Sequence, residues 1–247
     1  FMMLSEIAGD QAERTADALV ELVKSGKPKA EIEKFVKSLS QNWGQNDDIT
    51  RLFLRKLDAQ GIALRPGVFS DETLKQLFKN LDSVIISRTD QDYTDMRTLA
   101  LAGGPSVRAY AIDRLAAQQT NASEEAIISE LIQQTDSPQL DTLLTALTEI
   151  QKENKRNPAG IHRLIYELED NPARLQGFVR HLAQEKSAYL DEVLNSSQLN
   201  NTQVLGFART LLADKNIVLS EAAKLAIFKR AAQEGDLALV EKLLSGS

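Results

Sequence analysis

From residue 103 onward the sequence repeats itself in kind. Gly103-Gly104 stops one element and Pro105 opens the next, with Val107, Tyr110, Ala111 and Leu115 following at helical spacing. Similar phrases are led by Leu140, Leu175, Val204 and Leu237, at steps of 33, 35, 29 and 33 residues. Three residues on from the leads stand Tyr110, Leu143, Phe178, Phe207 and Val240. About seven on stand Leu115, Leu147, Leu182, Leu211 and Leu244. Breakers or caps precede most copies: Gly104-Pro105, Ser137-Pro138, Asn171-Pro172 and Gly235-Asp236. Between phrases lies room for one further helix, as with Ile161, Leu164, Ile165 and Leu168. One helix pair cannot bury its apolar face alone, whereas stacked pairs can. The recurrence therefore predicts a continuous buried layer that includes Leu143, Leu144, Leu147, Phe178, Val179, Leu182, Phe207 and Leu211.

Upstream the periodicity is helical but less regular. Ile32, Phe35, Val36, Leu39 and Trp43 share one face behind Pro28, and Trp43 is expected in the core. Asp47-Asp48 can cap a helix carrying Ile49, Leu52, Phe53 and Leu57, which Gly61 stops. Ser70, Asp71 and Glu72 begin another, with Leu74, Leu77, Phe78 and Leu81 on one face. The clear connector is 61–70, turning at Arg65-Pro66-Gly67. The short β-like run 83–87 continues a helical pattern and reads as a buried helix end. The expected fold is all-α: an α-solenoid-like stack of antiparallel helix pairs over 66–247, after a less regular N-terminal bundle over 1–65.

Two of the phrases resemble known repeat families. "PSVRAYAIDRLA" (105–116) resembles the second helix of a HEAT-type repeat through Val107-Arg108. The other copies depart from it, with Asp141 after Leu140 and Gln176 after Leu175. "AAQEGDLALVEKLL" (231–244) is similar to the second half of an ankyrin repeat, without the Thr-Pro-Leu-His opening of that family. Each likeness covers about a dozen residues. Both imply a binding scaffold and leave its ligand open.

Composition narrows the function classes. The net charge of -6 disfavours bulk affinity for nucleic acid or an anionic membrane. The absence of cysteine excludes disulfides, thiol catalysis and cysteine-ligated zinc. No apolar run approaches the roughly 18 residues that span a bilayer, and "FMML" is too short for a signal core. Phe1 ahead of Met2 suggests an added residue or a fragment of a longer chain, from which a signal would be missing. A cytoplasmic location is expected, with secretion from a bacterium as the alternative.

Residues that carry chemistry are few. His162 and His181 lie in different predicted helices without a metal-binding spacing, and read as surface or boundary residues. Adjacent acids such as Glu124-Glu125 and Asp191-Glu192 diverge on a helix, and suit its N-terminal dipole better than acid–base work. "DQDYTD" (90–95) lacks the central glycine and distal glutamate of a calcium loop, and reads as a helix cap and first turn. Gly103-Gly104-Pro105 follows no strand and precedes no Lys-Ser/Thr, so it is no phosphate loop. No catalytic motif, cofactor site or metal site is expected.

The candidate partner-binding residues are Arg108, Arg114, Arg174, Arg180 and Arg209 on the repeat helices, together with Leu239 and Leu243. The arginines either line a face that meets an acidic partner or pair internally with acids such as Asp113, Asp170 or Glu185; internal pairing suits a chain of this charge better. The last phrase carries a stripe of Leu237, Val240 and Leu244, flanked by Leu239 and Leu243. With no further helix to cover them, those flanking leucines are expected exposed, or against a partner or second copy. The expected function is a non-enzymatic protein–protein interaction scaffold or adaptor. A bacterial secreted effector or secretion-apparatus regulator is the alternative, and a helical-repeat protein acting on nucleic acid a further one.

Overall fold

The computed structural model describes residues 2–39, 46–64, 67–83, 88–117, 121–135, 137–154, 159–168, 171–184, 189–195 and 199–245. The readings of Trp43, of Arg65-Pro66, of 84–87 and of the side chains of Leu140 and His162 fall outside what is described. Among the described residues there are fourteen α-helices and no strand, so the chain is all-α. They gather into two compact units, Phe1–Leu131 and Ile132–Ser247.

The first unit holds α1 (Met2–Lys24), α2 (Lys29–Leu39), α3 (Asn46–Ala59), α4 (Asp71–Asp82), α5 (Asp90–Ala102), α6 (Pro105–Ala116) and most of α7 (Ala122–Gln133). α1 packs on α2 and α3, α4 on α2 and α3, and α5 and α6 on α4 and on each other. Every fourth or third residue turns inward, as amphipathic periodicity requires. Leu74, Leu77, Phe78 and Leu81 of α4 are fully buried, as are Phe53 and Leu57 of α3 and Met96 and Leu99 of α5. Phe53 meets Phe69 edge-on at 6.1 Å, and Phe78 meets Tyr110 the same way at 6.1 Å.

The helix starts follow the capping residues. Ser70 accepts from the Thr73 amide at 3.2 Å and opens α4. Thr89 and Asp92 form a reciprocal capping box at α5, so "DQDYTD" is a helix start. α6 begins differently, because its N-cap Gly104 has no side chain to accept a bond. Asp71, from the first turn of α4, serves instead. It accepts from the Gly104 amide at 3.3 Å and from the Ser106 hydroxyl at 2.6 Å. Gly103 seats the chain tightly here, since a Cβ at that position would collide with Val107.

The second unit holds α8 (Ser137–Asn154), α9 (Ala159–Leu168), α10 (Pro172–Gln184), α11 (Tyr189–Asn195), α12 (Asn201–Ala213), α13 (Glu221–Glu234) and α14 (Leu237–Leu244). α10 packs on α8, α9, α11 and α12, while α13 packs on α11, α12 and α14. All eight residues expected inside from the repeat phase are buried: Leu143, Leu144, Leu147, Phe178, Val179, Leu182, Phe207 and Leu211.

The last phrase is out of register with that phase. Leu237 and Leu244, which the phase turns inward, are each 72% exposed, and Leu239, expected outside, is 4% exposed. Leu243 is half-buried. The cap sits beside the shift. Asp236 is the N-cap of α14, its carboxylate accepting the Leu239 amide at 3.2 Å. Asn171 and Asn200, which precede α10 and α12, stand four residues before the inward Leu175 and Val204. Four on from Asp236 stands Val240, half-buried, while the buried Leu239 comes one residue earlier and Leu237 is left outside at the first helical position. Gly235 supplies the turn into this helix with φ of 69°.

Candidate functional site

The five candidate arginines are divided between the two units. Arg108 and Arg114 sit on α6 in the first unit, whereas Arg174 and Arg180 on α10 and Arg209 on α12 belong to the second. Acids within the chain pair with Arg114, Arg180 and Arg209, and Asp113 adds to the negative charge around Arg114. Asp113 is buried beside Arg114 on α6, and Asp170 and Glu185 lie outside the described residues.

Arg114 belongs to a buried ion cluster. Its Nε donates to Asp82 Oδ2 at 2.7 Å. Arg88 donates to Asp82 Oδ1 at 2.7 Å and to the Asp82 carbonyl at 2.8 Å, and also pairs with Glu124. The side chains of Asp82, Arg88 and Glu124 are 0%, 3% and 4% exposed. Burial opposes the Arg114 charge, but the Asp82 carboxylate outweighs it and holds the guanidinium above its ordinary range. This cluster ties the ends of α4, α6 and α7 together. Arg174 is likewise structural: it donates to the carbonyls of Ile132 at 3.2 Å and Thr135 at 2.6 Å. Those carbonyls lie at the C-terminal end of α7, where a cation complements the helix dipole.

Arg180 and Arg209 are different. Their side chains are 49% and 61% exposed, and they pair with Asp214 at 3.5 Å and Asp236 at 2.5 Å. Both line an open cleft of about 520 Å³ with Thr210, Ala213, Asp214 and Lys215. Exposed pairs of this kind contribute only about 0.2–1 kcal/mol each, so either guanidinium exchanges its partner at small cost. A second, apolar groove of about 320 Å³ runs between α10 and α12 over Leu175, Gly206 and Phe207. Leu239 is covered by its own chain and offers no outer contact surface; Leu243 is partly accessible.

A further cleft, of about 670 Å³, was not legible in the sequence. It lies in the first unit between α3 with its following turn and α5. Leu54, Leu57, Ile62 and Leu64 line one side, and Gln91, Thr94, Asp95 and Thr98 the other, with Arg55 and Asp58 also lining it. Asp95 accepts from Gln91 Nε2 at 2.9 Å through Oδ1, while its Oδ2 is buried without a hydrogen-bond partner. Burial pushes the Asp95 carboxyl above its usual range, against the opposing pull of Gln91. In the sequence Asp95 closes a run that reads as a helix cap and first turn, and its spacing from Gln91 is that of any polar helix face. Only the chain folding back over that face after Gly61 marks it.

His181 lies 3.3 Å from the Thr145 hydroxyl through Nε2. Among the described residues, no group of three or more histidine, aspartate or glutamate side chains is placed to hold a metal ion. No described helix is long and apolar enough to cross a membrane. No family model matches the chain, and no curated protein or solved structure does.

Proposed function

We propose that the chain is a protein–protein interaction scaffold, built as a stack of antiparallel helix pairs that presents the Arg180–Arg209 cleft to an acidic segment of a partner. The observation that carries this reading is the spacing of the long-range polar contacts. Ser106 bonds Asp71 at a separation of 35 residues, and Arg97 bonds Glu130 at 33. Gln176 bonds Thr210 at 34, and Asn201 bonds Glu234 at 33. These four match the step of the sequence phrase, and the other long-range polar contacts scatter around it, from 27 residues between Arg209 and Asp236 to 43 between Lys56 and Glu13, as neighbouring repeats in contact would give. The substantial helix contacts also join helices one or two places apart in the chain. Such a stack leaves a cleft wherever successive helices diverge.

The cleft at Arg180 and Arg209 suits an anionic partner, because Lys215 adds a third cation to its lining. Arginine there recognises carboxylate in a planar, two-point manner that lysine does not reproduce. The test is affinity capture with the whole chain, followed by reconstitution with the purified captured protein. The double variant R180E/R209E is expected to weaken that complex by about tenfold or more while thermal unfolding stays within error. A complex of unchanged affinity in the double variant would remove the cleft from the reading. Failure of any purified protein to bind stoichiometrically would remove the scaffold function itself.

A further inference from the structure

We propose that the cleft between α3 and α5 is a binding site for an ammonium group carried on an aliphatic stem. Its two sides differ in kind. Gln91, Thr94, Asp95 and Thr98 stand at i, i+3, i+4 and i+7, on one face of α5. The hydrogens on this face are largely committed. Thr94 donates to the Asp90 carbonyl at 3.0 Å and Thr98 to the Thr94 carbonyl at 2.8 Å. Gln91 gives an amide hydrogen to Asp95 Oδ1. What this side still offers is lone pairs: the Gln91 carbonyl and two hydroxyl oxygens, with Asp95 Oδ2 unpartnered but closed to solvent until its side chain turns toward a donor. The side formed by α3 and its following turn offers hydrocarbon, from Leu54, Leu57, Ile62 and Leu64.

The complementary ligand donates hydrogen bonds at one end and is aliphatic along its length. A buried acceptor with no donor is costly, and Asp95 Oδ2 is one. A cation fits better than a neutral donor, since Asp58 and Asp95 outnumber Arg55 among the described charged residues lining the cleft. An ammonium has three donors in a compact head, which matches several acceptors spread along one helix face. The electrostatic surroundings agree. Burial, Asp92 and Asp58 hold the Asp95 carboxyl up, with Gln91 and Arg55 opposing. A bound cation would pull it back down. The head group has two sources, a free alkylamine or a lysine side chain of a partner, and a free amine suffices whether or not the chain is a scaffold.

The experiment is an NMR titration of the full chain with n-pentylammonium and, separately, with a capped Gly-Lys-Gly peptide. N-pentylacetamide and the Nε-acetylated peptide are the neutral matches. Saturable shifts are expected in the C-terminal half of α3, in 61–64 and in α5, with a Kd of roughly 1 mM or tighter. The neutral matches should bind at least about tenfold more weakly. Asp95→Asn keeps the shape and removes the charge, and should weaken the amine by about tenfold with no loss of stability. Thr98→Val leaves the charge in place and should cost a few-fold, which keeps the test open if Asp95→Asn misfolds. Binding of the free amine alone assigns a small-molecule site, and binding of both assigns a lysine-accepting one. The proposal is overturned by neither probe saturating below about 10 mM, by equal binding of the neutral matches, or by Asp95→Asn binding like the parent.

Discussion

Asp92 and Asp95 stand less than one turn apart on α5, and the structure drives their carboxyls in opposite directions. Burial pushes Asp92 up, but the bonds it accepts more than reverse this and leave it below the usual range. Arg51 donates to it at 2.7 and 3.1 Å, and the Thr89 amide at 2.7 Å. At Asp95 burial wins. The signs then differ. A folded-state value below the unfolded one gives stability that is present above about pH 4 and lost as pH falls through the folded value. For Asp95 the folded value is the higher one. Its penalty is absent below about pH 4 and complete once pH has risen through the folded value. Asp92→Asn should therefore lose about 1–3 kcal/mol at pH 7 and show a shallower fall in stability on acidification. Asp95→Asn should be neutral, or more stable by up to about 1 kcal/mol, at pH 7, with that gain vanishing toward pH 4. Urea unfolding across pH 4 to 7 reads both, and matching profiles for the two variants would refute the contrast.

At the scale of the helix, periodicity fixes the register only where the apolar residues allow a single phase. In α10 and α12 the apolar residues fit a single phase, and Leu175, Phe178, Val204 and Phe207 are all inside as read. "LALVEKLL" contains enough apolar residues for two phases, so periodicity alone could not choose. The structure puts Leu239 inside, its amide capped by Asp236, and Leu237 outside. Leu239→Ala should thus cost about 2–4 kcal/mol, whereas Leu237→Ala should stay within about 0.5 kcal/mol of the parent. Thermal or urea unfolding separates them, and the reverse order would restore the phase read from the sequence. The same reasoning marks what else was hidden. Asp71 lies in the first turn of its own helix, and nothing local announces that it bonds the start of α6, more than thirty residues on.

At the scale of the molecule, the phrase that recurs about every 33 residues is what the proposed stack rests on, and the helical class was written in the spacing of the apolar residues. The clefts were not, because they depend on how one helix lies over another, which periodicity does not encode. The contact pattern has a consequence for how the chain comes apart. Substantial helix contacts run between near neighbours in sequence within each unit. In a stack held by neighbour contacts, damage at one place need not spread through the whole array. Phe178→Ala removes a ring that is fully buried on α10, at a cost of about 3–5 kcal/mol. In the proposed stack that cost falls on α8 to α12 and should leave α3 to α6 closed. Amide hydrogen exchange on the intact variant reads the difference segment by segment. Faster exchange is expected over Ser137–Ala213, with protection over Asn46–Ala116 within error of the parent. A uniform rise across both stretches would mean that the chain opens as one cooperative body, and the stack of independent neighbours would have to be abandoned.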